Sequence, residues 1–201
     1  MSQYLFAPSP TFGVSEHPFT TWREAFTRDE INAIITHAEN IRLVAATLGE
    51  GEEKAPANIR VSKTAWISQT SEISWLYDRL GYIARQINGQ FYKFNLHGFY
   101  EDFQFTVYEG DEESHYTWHT DAGPSGNGAP PRKLSMVMQL TDPSEYEGGN
   151  LEVLTGPTPT VVDKEFGLIA AFPSYVLHRV TPVTKGLRRT LVVWVTGPAF
   201  L

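Results

Sequence analysis

His119 and Asp121 stand two residues apart in the run Tyr116-Thr117-Trp118-His119-Thr120-Asp121-Ala122-Gly123. On an extended segment, residues two apart point to the same side. One imidazole and one carboxylate are then presented together. His178, much further along the chain in Phe172-Pro173-Ser174-Tyr175-Val176-Leu177-His178-Arg179-Val180, supplies a second imidazole. Two imidazoles and one carboxylate are the facial ligand set that holds non-heme Fe(II) and leaves coordination positions open. A chelating 2-oxo acid could take two of those positions and O2 the third. The other histidines, His17, His37, His97 and His115, read as surface or hydrogen-bonded side chains.

A His-x-Asp tripeptide is common by itself, so the weight falls on the residues beyond His178. Arg188 comes ten residues later, at the start of a mostly apolar run. If 188–196 is a strand, Arg188, Thr190, Val192 and Trp194 share one face. An arginine there is costly unless a carboxylate meets it, and a guanidinium can grip a carboxylate through two parallel hydrogen bonds. Arg188 could equally reach solvent from a strand end. Tyr108 and Thr106 stand on the more polar face of an earlier run and could line the same pocket.

The elements that must position these groups fall into two parts. Residues 1 to about 21 are rich in Pro, Ser and Thr and read as an extended arm. Thr27 with Glu30 makes a capping box, Phe26 and Ile31 stand at staple positions, and Ile31, Ile34, Ile35 and Ala38 continue at helical spacing. A short strand is predicted over 60–67. A second helix carries Ile73, Leu76, Tyr77, Leu80, Ile83, Ala84 and Ile87 on one face, with Asn88-Gly89 as its stop. From about residue 99 the pattern becomes that of strands. Phe103, Phe105 and Val107 alternate with Gln104, Thr106 and Tyr108, and short runs at 133–140, 150–154, 160–163, 167–172, 176–183 and 188–196 are separated by Gly and Pro. The expected fold is mainly β with flanking helices: a double-stranded β-helix, or jelly roll, with N-terminal helices packed on one sheet. One domain over 1–201 is expected, with an arm at 1–21, a helical support region at 22–98 and a β-barrel core at 99–197.

The chain of 201 residues has no cysteine, which excludes disulfides, thiolate zinc sites, iron–sulfur clusters and cysteine nucleophiles. Its formal net charge of −7 makes it a poor binder of nucleic acid or anionic membrane. No apolar run approaches the roughly 18–20 residues of a membrane span, and Met1-Ser2-Gln3-Tyr4 lacks a signal peptide's basic start. A cytoplasmic location is expected.

Together these residues resemble the 2-oxoglutarate/Fe(II)-dependent dioxygenase superfamily, and most closely its prolyl 4-hydroxylase-like branch with the bacterial PKHD-type hydroxylases. The resemblance covers roughly residues 22–197. Tyr108 with Tyr116-x-x-His119-x-Asp121 resembles one motif. Glu147-Gly148-Gly149-Asn150-Leu151 resembles a turn and strand of the branch. Pro173, and His178-x-Val180-x-Pro182-Val183-x-x-Gly186-x-Arg188, resemble a third and fourth, with Trp194 where the branch often carries tryptophan. The resemblance implies that His119, Asp121 and His178 hold Fe(II). It also implies that Arg188 pairs with the far carboxylate of 2-oxoglutarate and that Tyr108 hydrogen-bonds near it. Arg189 competes with Arg188 by proximity alone. The implied reaction consumes 2-oxoglutarate and O2, releases succinate and CO2, and hydroxylates a C–H bond. Ascorbate is a candidate reductant. A carboxylate at Asp121 argues against a halogenase, which needs that ligand position vacant for halide.

Segments 45–58 and 122–131 flank the presumed mouth and are expected to act as lids or groove walls. A peptidyl proline or related amino-acid side chain is the first substrate expected, with a free amino acid or other small molecule as the alternative. Arg60 and Trp66 could be groove residues, although Trp66 also suits a core. Two competing functions stand beside the oxygenase. One is a catalytically silent β-barrel binding module. The other is a zinc hydrolase using His119, Asp121 and His178, for which Glu147 or Glu152 would have to be the base and Arg188 would have no role.

Overall fold

The computed structural model describes residues 17–47, 55–122 and 129–199. The first sixteen positions of the predicted arm, and the middles of both predicted lid segments, lie outside the described residues. The elements in chain order are strand β1 (Thr20–Trp22), helix α1 (Arg28–Glu39), strands β2 (Val44–Ala45), β3 (Arg60–Val61) and β4 (Lys63–Ile67), helix α2 (Ser74–Ile87), and then nine further strands. These are β5 (Phe103–Glu109), β6 (His115–His119), β7 (Arg132–Gln139), β8 (Tyr146–Gly148), β9 (Leu151–Leu154), β10 (Pro159–Val161), β11 (Ile169–Pro173), β12 (His178–Val180) and β13 (Val183–Thr196).

Two antiparallel sheets make a double-stranded β-helix. The larger runs β1-β11-β7-β13-β5-β4-β2, with β8 paired to the start of β13; the smaller runs β10-β9-β12-β6-β3. Strand parity decides what each face of the larger sheet does. Phe103, Phe105 and Val107, with Leu134, Met136, Met138, Leu191, Val193 and Val195, meet the helices in one buried cluster. The alternate positions face the smaller sheet and enclose the pocket.

The helices seat on the larger sheet for readable reasons. In α1, Thr27 accepts from the Glu30 backbone N–H while the Glu30 carboxylate accepts from Thr27, which closes the predicted capping box. Ile31, Ile34 and Ala38 are its buried stripe. In α2, Tyr77 stacks on Phe103 with ring centres 3.7 Å apart and donates its hydroxyl to the Ile67 carbonyl.

The structure corrects or extends four local expectations. The predicted strand over 60–67 is two strands in different sheets: β3 pairs with β6 and β4 with β5, and Ser62 is the crossing point. Helix α2 stops at Asn88 as predicted, but the chain does not leave helical geometry there. The chain continues as a π-helical turn over Asn88–Tyr92 and ends at left-handed Lys93, while the Tyr92 hydroxyl donates to the Ala171 carbonyl on β11. The end of the predicted arm is ordered as β1, an edge strand on β11. The last strand begins at Val183 rather than 188, because its first residues pair with β8.

Candidate metal centre and adjoining pocket

His119 closes β6 and His178 opens β12, and the two are direct register partners. Asp121 lies just beyond β6, and its backbone N–H donates to the Ser174 carbonyl at 2.8 Å. One ligand atom from each of the three residues lies within 4.8 Å of the others. The Nε2 atoms of His119 and His178 each stand 3.7 Å from an Asp121 carboxylate oxygen. Each ring's Nδ1 faces a backbone carbonyl, that of Thr117 for His119 at 2.8 Å and that of Val176 for His178 at 3.0 Å. A proton on Nδ1 then leaves Nε2 as the free lone pair pointing inward.

The electrostatics favour a cation. Burial, and then the neighbouring His178, push His119 down to about 4, with Arg60 adding to the effect, so its imidazole is neutral at physiological pH. Burial alone would raise the Asp121 carboxyl. His178 and His119, then the Ser135 hydroxyl and Trp194, hold it below its ordinary value instead. Ser135 Oγ donates to Asp121 at 2.7 Å and is itself 3.0 Å from Ser174 Oγ. The rings are held by stacking, Tyr116 on His119 at 3.5 Å and Phe172 against His178 at 4.6 Å between centres. Two imidazoles with inward Nε2 atoms and a preset carboxylate are a donor set suited to a divalent first-row metal.

The three residues open into a pocket of about 680 Å3 that Tyr108 and Arg188 also line. Arg188 is 1% exposed. Its one hydrogen bond is to Gln139 at 3.2 Å, and among the described residues its Nε and second terminal nitrogen have no partner. Its guanidinium sits 5.2 Å from the centre of the Tyr108 ring. Buried N–H donors without acceptors on a charged group are costly, and a carboxylate would relieve that cost in the planar geometry the guanidinium presents. Arg189 turns the other way and pairs with Glu39 of α1 at 3.0 Å.

All five predicted site residues therefore line one cavity. Thr106 is buried but does not line it. Trp66 is no core residue: it is 40% exposed on the pocket wall and tilts against Trp194 at 6.1 Å. Ser135 and Gln139, which sequence reasoning missed, occupy inward positions of β7. Polar residues alternating with Leu134, Met136 and Met138 on an otherwise apolar strand were the available signal. Arg132 was missed as well. It pairs with Glu101 and lies 3.7 Å from the Trp194 ring centre.

A double-stranded β-helix whose pocket is lined by two imidazoles and a carboxylate presents the facial donor set suited to a non-heme metal. Comparison with known proteins is specific. Residues 103–196 match the family model described as the 2OG-Fe(II) oxygenase superfamily. A PKHD-type hydroxylase of Synechococcus sp. (strain CC9605) is 43% identical over 84 residues, which cover 40% of this chain and 36% of that protein. A PKHD-type hydroxylase of Alteromonas mediterranea is 36% identical over 88 residues, covering 42% and 39%. The matches thus span less than half the length of these curated relatives. In fold, the chain superposes on a prolyl-4-hydroxylase of Pseudomonas putida with TM-score 0.71 and 21% identity, covering 92% of this chain and 95% of that one. It also superposes on a Trichoplax adhaerens prolyl hydroxylase, solved with a peptide fragment of a hypoxia inducible factor oxygen degradation domain, with TM-score 0.72 and 17% identity over 90% and 84%. The β core of the chain is thus similar in sequence to the 2OG-Fe(II) oxygenase superfamily, and its fold is that of the prolyl 4-hydroxylase structures.

Proposed function

We propose that the protein is a 2-oxoglutarate- and O2-dependent Fe(II) dioxygenase that hydroxylates an unactivated C–H bond. In balance, 2-oxoglutarate, O2 and a substrate C–H give succinate, CO2 and a C–OH. His119 Nε2, His178 Nε2 and the Asp121 carboxylate would hold the iron, which supplies the O2 chemistry. Arg188 would bind the far carboxylate of 2-oxoglutarate with its two unpartnered nitrogens, and Tyr108 would wall that end of the pocket. The protein's own part is to orient the cosubstrate, shape the substrate cavity and exclude water.

The observation that carries this reading is Arg188: a buried cation with orphan donors, lining the same cavity as the His119–Asp121–His178 cluster. A zinc hydrolase would leave it without a role. Such an enzyme would also need a base, and both candidates are engaged outside the pocket lining, Glu147 with Lys185 and Glu152 with Arg179. A silent binding module would have no use for the three preset ligands. The first substrate candidate is a peptidyl proline or related amino-acid side chain, in keeping with the peptide bound by the Trichoplax neighbour. The whole chain 1–201 would act as one domain, without nucleic acid. No described helix is long and apolar enough to cross a membrane.

Aerobic incubation with Fe(II) and 2-oxoglutarate tests the reading. Succinate should form slowly without substrate and faster with it, and mass spectrometry should find one oxygen gained by a proline-containing peptide or free amino acid. Succinate no higher than in a metal-free control would overturn it.

A further inference from the structure

Arg60 is a second buried cation in the pocket, and its charge has no counterion among the described residues. It is 7% exposed and lines the cavity. Its hydrogen bonds go to neutral oxygens, Ser62 Oγ at 2.8 Å and Gln104 Oε1 at 3.0 Å. Its guanidinium lies 4.7 Å from the centre of the Tyr116 ring, and that ring stacks on His119 at 3.5 Å. Arg60 is therefore one aromatic ring removed from the candidate metal centre. The other pocket cations have assignments: Arg132 is paired with Glu101, and Arg188 is reserved for the cosubstrate. A divalent metal, Asp121, a dianionic cosubstrate and Arg188 together come to zero charge. Arg60 remains as an uncompensated positive charge, held on the smaller sheet while Arg188 is held on the larger.

A guanidinium has five donors, and the two hydrogen bonds to Ser62 and Gln104 fix Arg60's orientation without neutralising it. Burying a charge in this way is unfavourable until an anion arrives. We propose that Arg60 docks a carboxylate on the substrate, so that the substrate class is an amino acid with a free α-carboxylate rather than the interior of a peptide. This rests on the oxygenase reading, and within it moves the substrate from an interior peptidyl proline to the free amino acid that the sequence offered as the alternative. A lone planar fork suits a carboxylate's two oxygens.

The test uses protein loaded with Mn(II) and saturated with N-oxalylglycine, so that Arg188 is already occupied. Trp66 and Trp194 line the pocket, and their fluorescence reads binding. The probes are proline, leucine and lysine as free acids, the three matching amides, and a proline tripeptide capped at both ends. At least one free acid should bind about tenfold or more tighter than its amide, roughly the value of one charge-assisted contact. Arg60→Gln should bring that pair together, and Arg60→Lys, which keeps the charge but loses the fork, should retain the preference with weaker binding. Should Arg60→Gln not fold, the Lys variant decides, since unchanged acid binding there overturns the proposal. It is equally overturned if no acid outbinds its amide, if the preference survives in Arg60→Gln, or if the capped peptide binds as tightly as the best acid. Uncoupled succinate formation by the unmodified protein reports the oxygenase reading separately. Succinate without an acid preference removes this inference alone, whereas an acid preference without succinate removes the oxygenase reading.

Discussion

His119 and His178 face each other across β6 and β12 as register partners, with ring centres 4.1 Å apart and planes inclined by 53°. A single antiparallel pairing thus closes the long sequence gap between the two imidazoles, and Asp121 joins them through its backbone bond to the Ser174 carbonyl. Since each imidazole is held by an Nδ1 contact to the carbonyl two residues before it, removing one should not disorder the other. His178→Ala is expected to lose Mn(II) binding measured by calorimetry, while its denaturant midpoint falls by no more than about 2 kcal/mol of stability, the range of an ordinary buried truncation. Unchanged metal affinity would show that the three side chains do not act together.

Ser135 gives a graded version of the same test. Among the described residues its hydroxyl bonds to Asp121 Oδ2 and Ser174 Oγ, so it orients a ligand without being one. Ser135→Ala should weaken Mn(II) binding about 10–100-fold, as expected when a ligand loses its supporting hydrogen bond. Ser135→Thr, which keeps the hydroxyl, should recover most of the loss.

Arg188→Met should move two properties in opposite directions. The orphaned charge is unfavourable in the ligand-free protein, so an apolar side chain of similar length should leave its stability equal or raise it, by up to about 4 kcal/mol. The thermal shift given by 2-oxoglutarate should disappear. Urea unfolding without ligand, beside a melting series with 2-oxoglutarate, measures both. A large loss of ligand-free stability would mean that the Gln139 contact and the Tyr108 ring already compensate the guanidinium.

Gly149 has φ +60, and a Cβ there would come within 2.8 Å of Arg188 Cδ and of Val183 Cγ2. Gly149→Ala must therefore strain the left-handed backbone and displace the guanidinium. About 1–3 kcal/mol of stability should be lost, and the KM for 2-oxoglutarate should rise more than kcat falls. The Glu-Gly-Gly turn thereby has a physical purpose, which is to leave room for the arginine stem.

The start of α1 supplies a pH signature. The Glu30 carboxyl is held below its ordinary value, first by the Thr27 backbone N–H and then by Arg79. A carboxylate depressed on folding stabilises the protein above its unfolded pKa, and that contribution is lost as pH falls through the folded value. The stability advantage of the unmodified protein over Glu30→Gln should therefore be largest near pH 7 and shrink toward about pH 3, the lower end of the carboxylate range. Urea midpoints at several pH values check the slope.

The features legible in the sequence are those set by local chemistry. The capping box at Thr27 and Glu30, the alternation of Phe103 to Tyr108, and the shared face of Arg188, Thr190, Val192 and Trp194 each need only a period or a short motif. The gathering of His119, Asp121, His178 and Arg188 can be anticipated because several motifs recur in one order. The departures are tertiary. Nothing in Arg60 to Ile67 announces that Ser62 passes the chain from one sheet to the other, since both halves have the same strand chemistry. The π-helical turn after Ile87 depends on Tyr92 reaching the Ala171 carbonyl, a contact remote in sequence. Thr20 to Trp22 become a strand because β11 offers them an unpaired edge. Trp66 suits a core by its side-chain type, yet strand parity turns it onto the pocket wall.

The parity of β13 has an evolutionary corollary. Arg188, Thr190, Val192 and Trp194 all project into the cavity, while Leu191, Val193 and Val195 fill the helix-facing cluster. Inserting or deleting one residue between Arg188 and Trp194 would exchange the two sets downstream, burying cavity-wall chemistry among the helices and exposing apolar side chains to substrate. The cavity wall can therefore be altered at these positions by substitution, whereas a change of length is compatible with the fold only in the connections outside this strand.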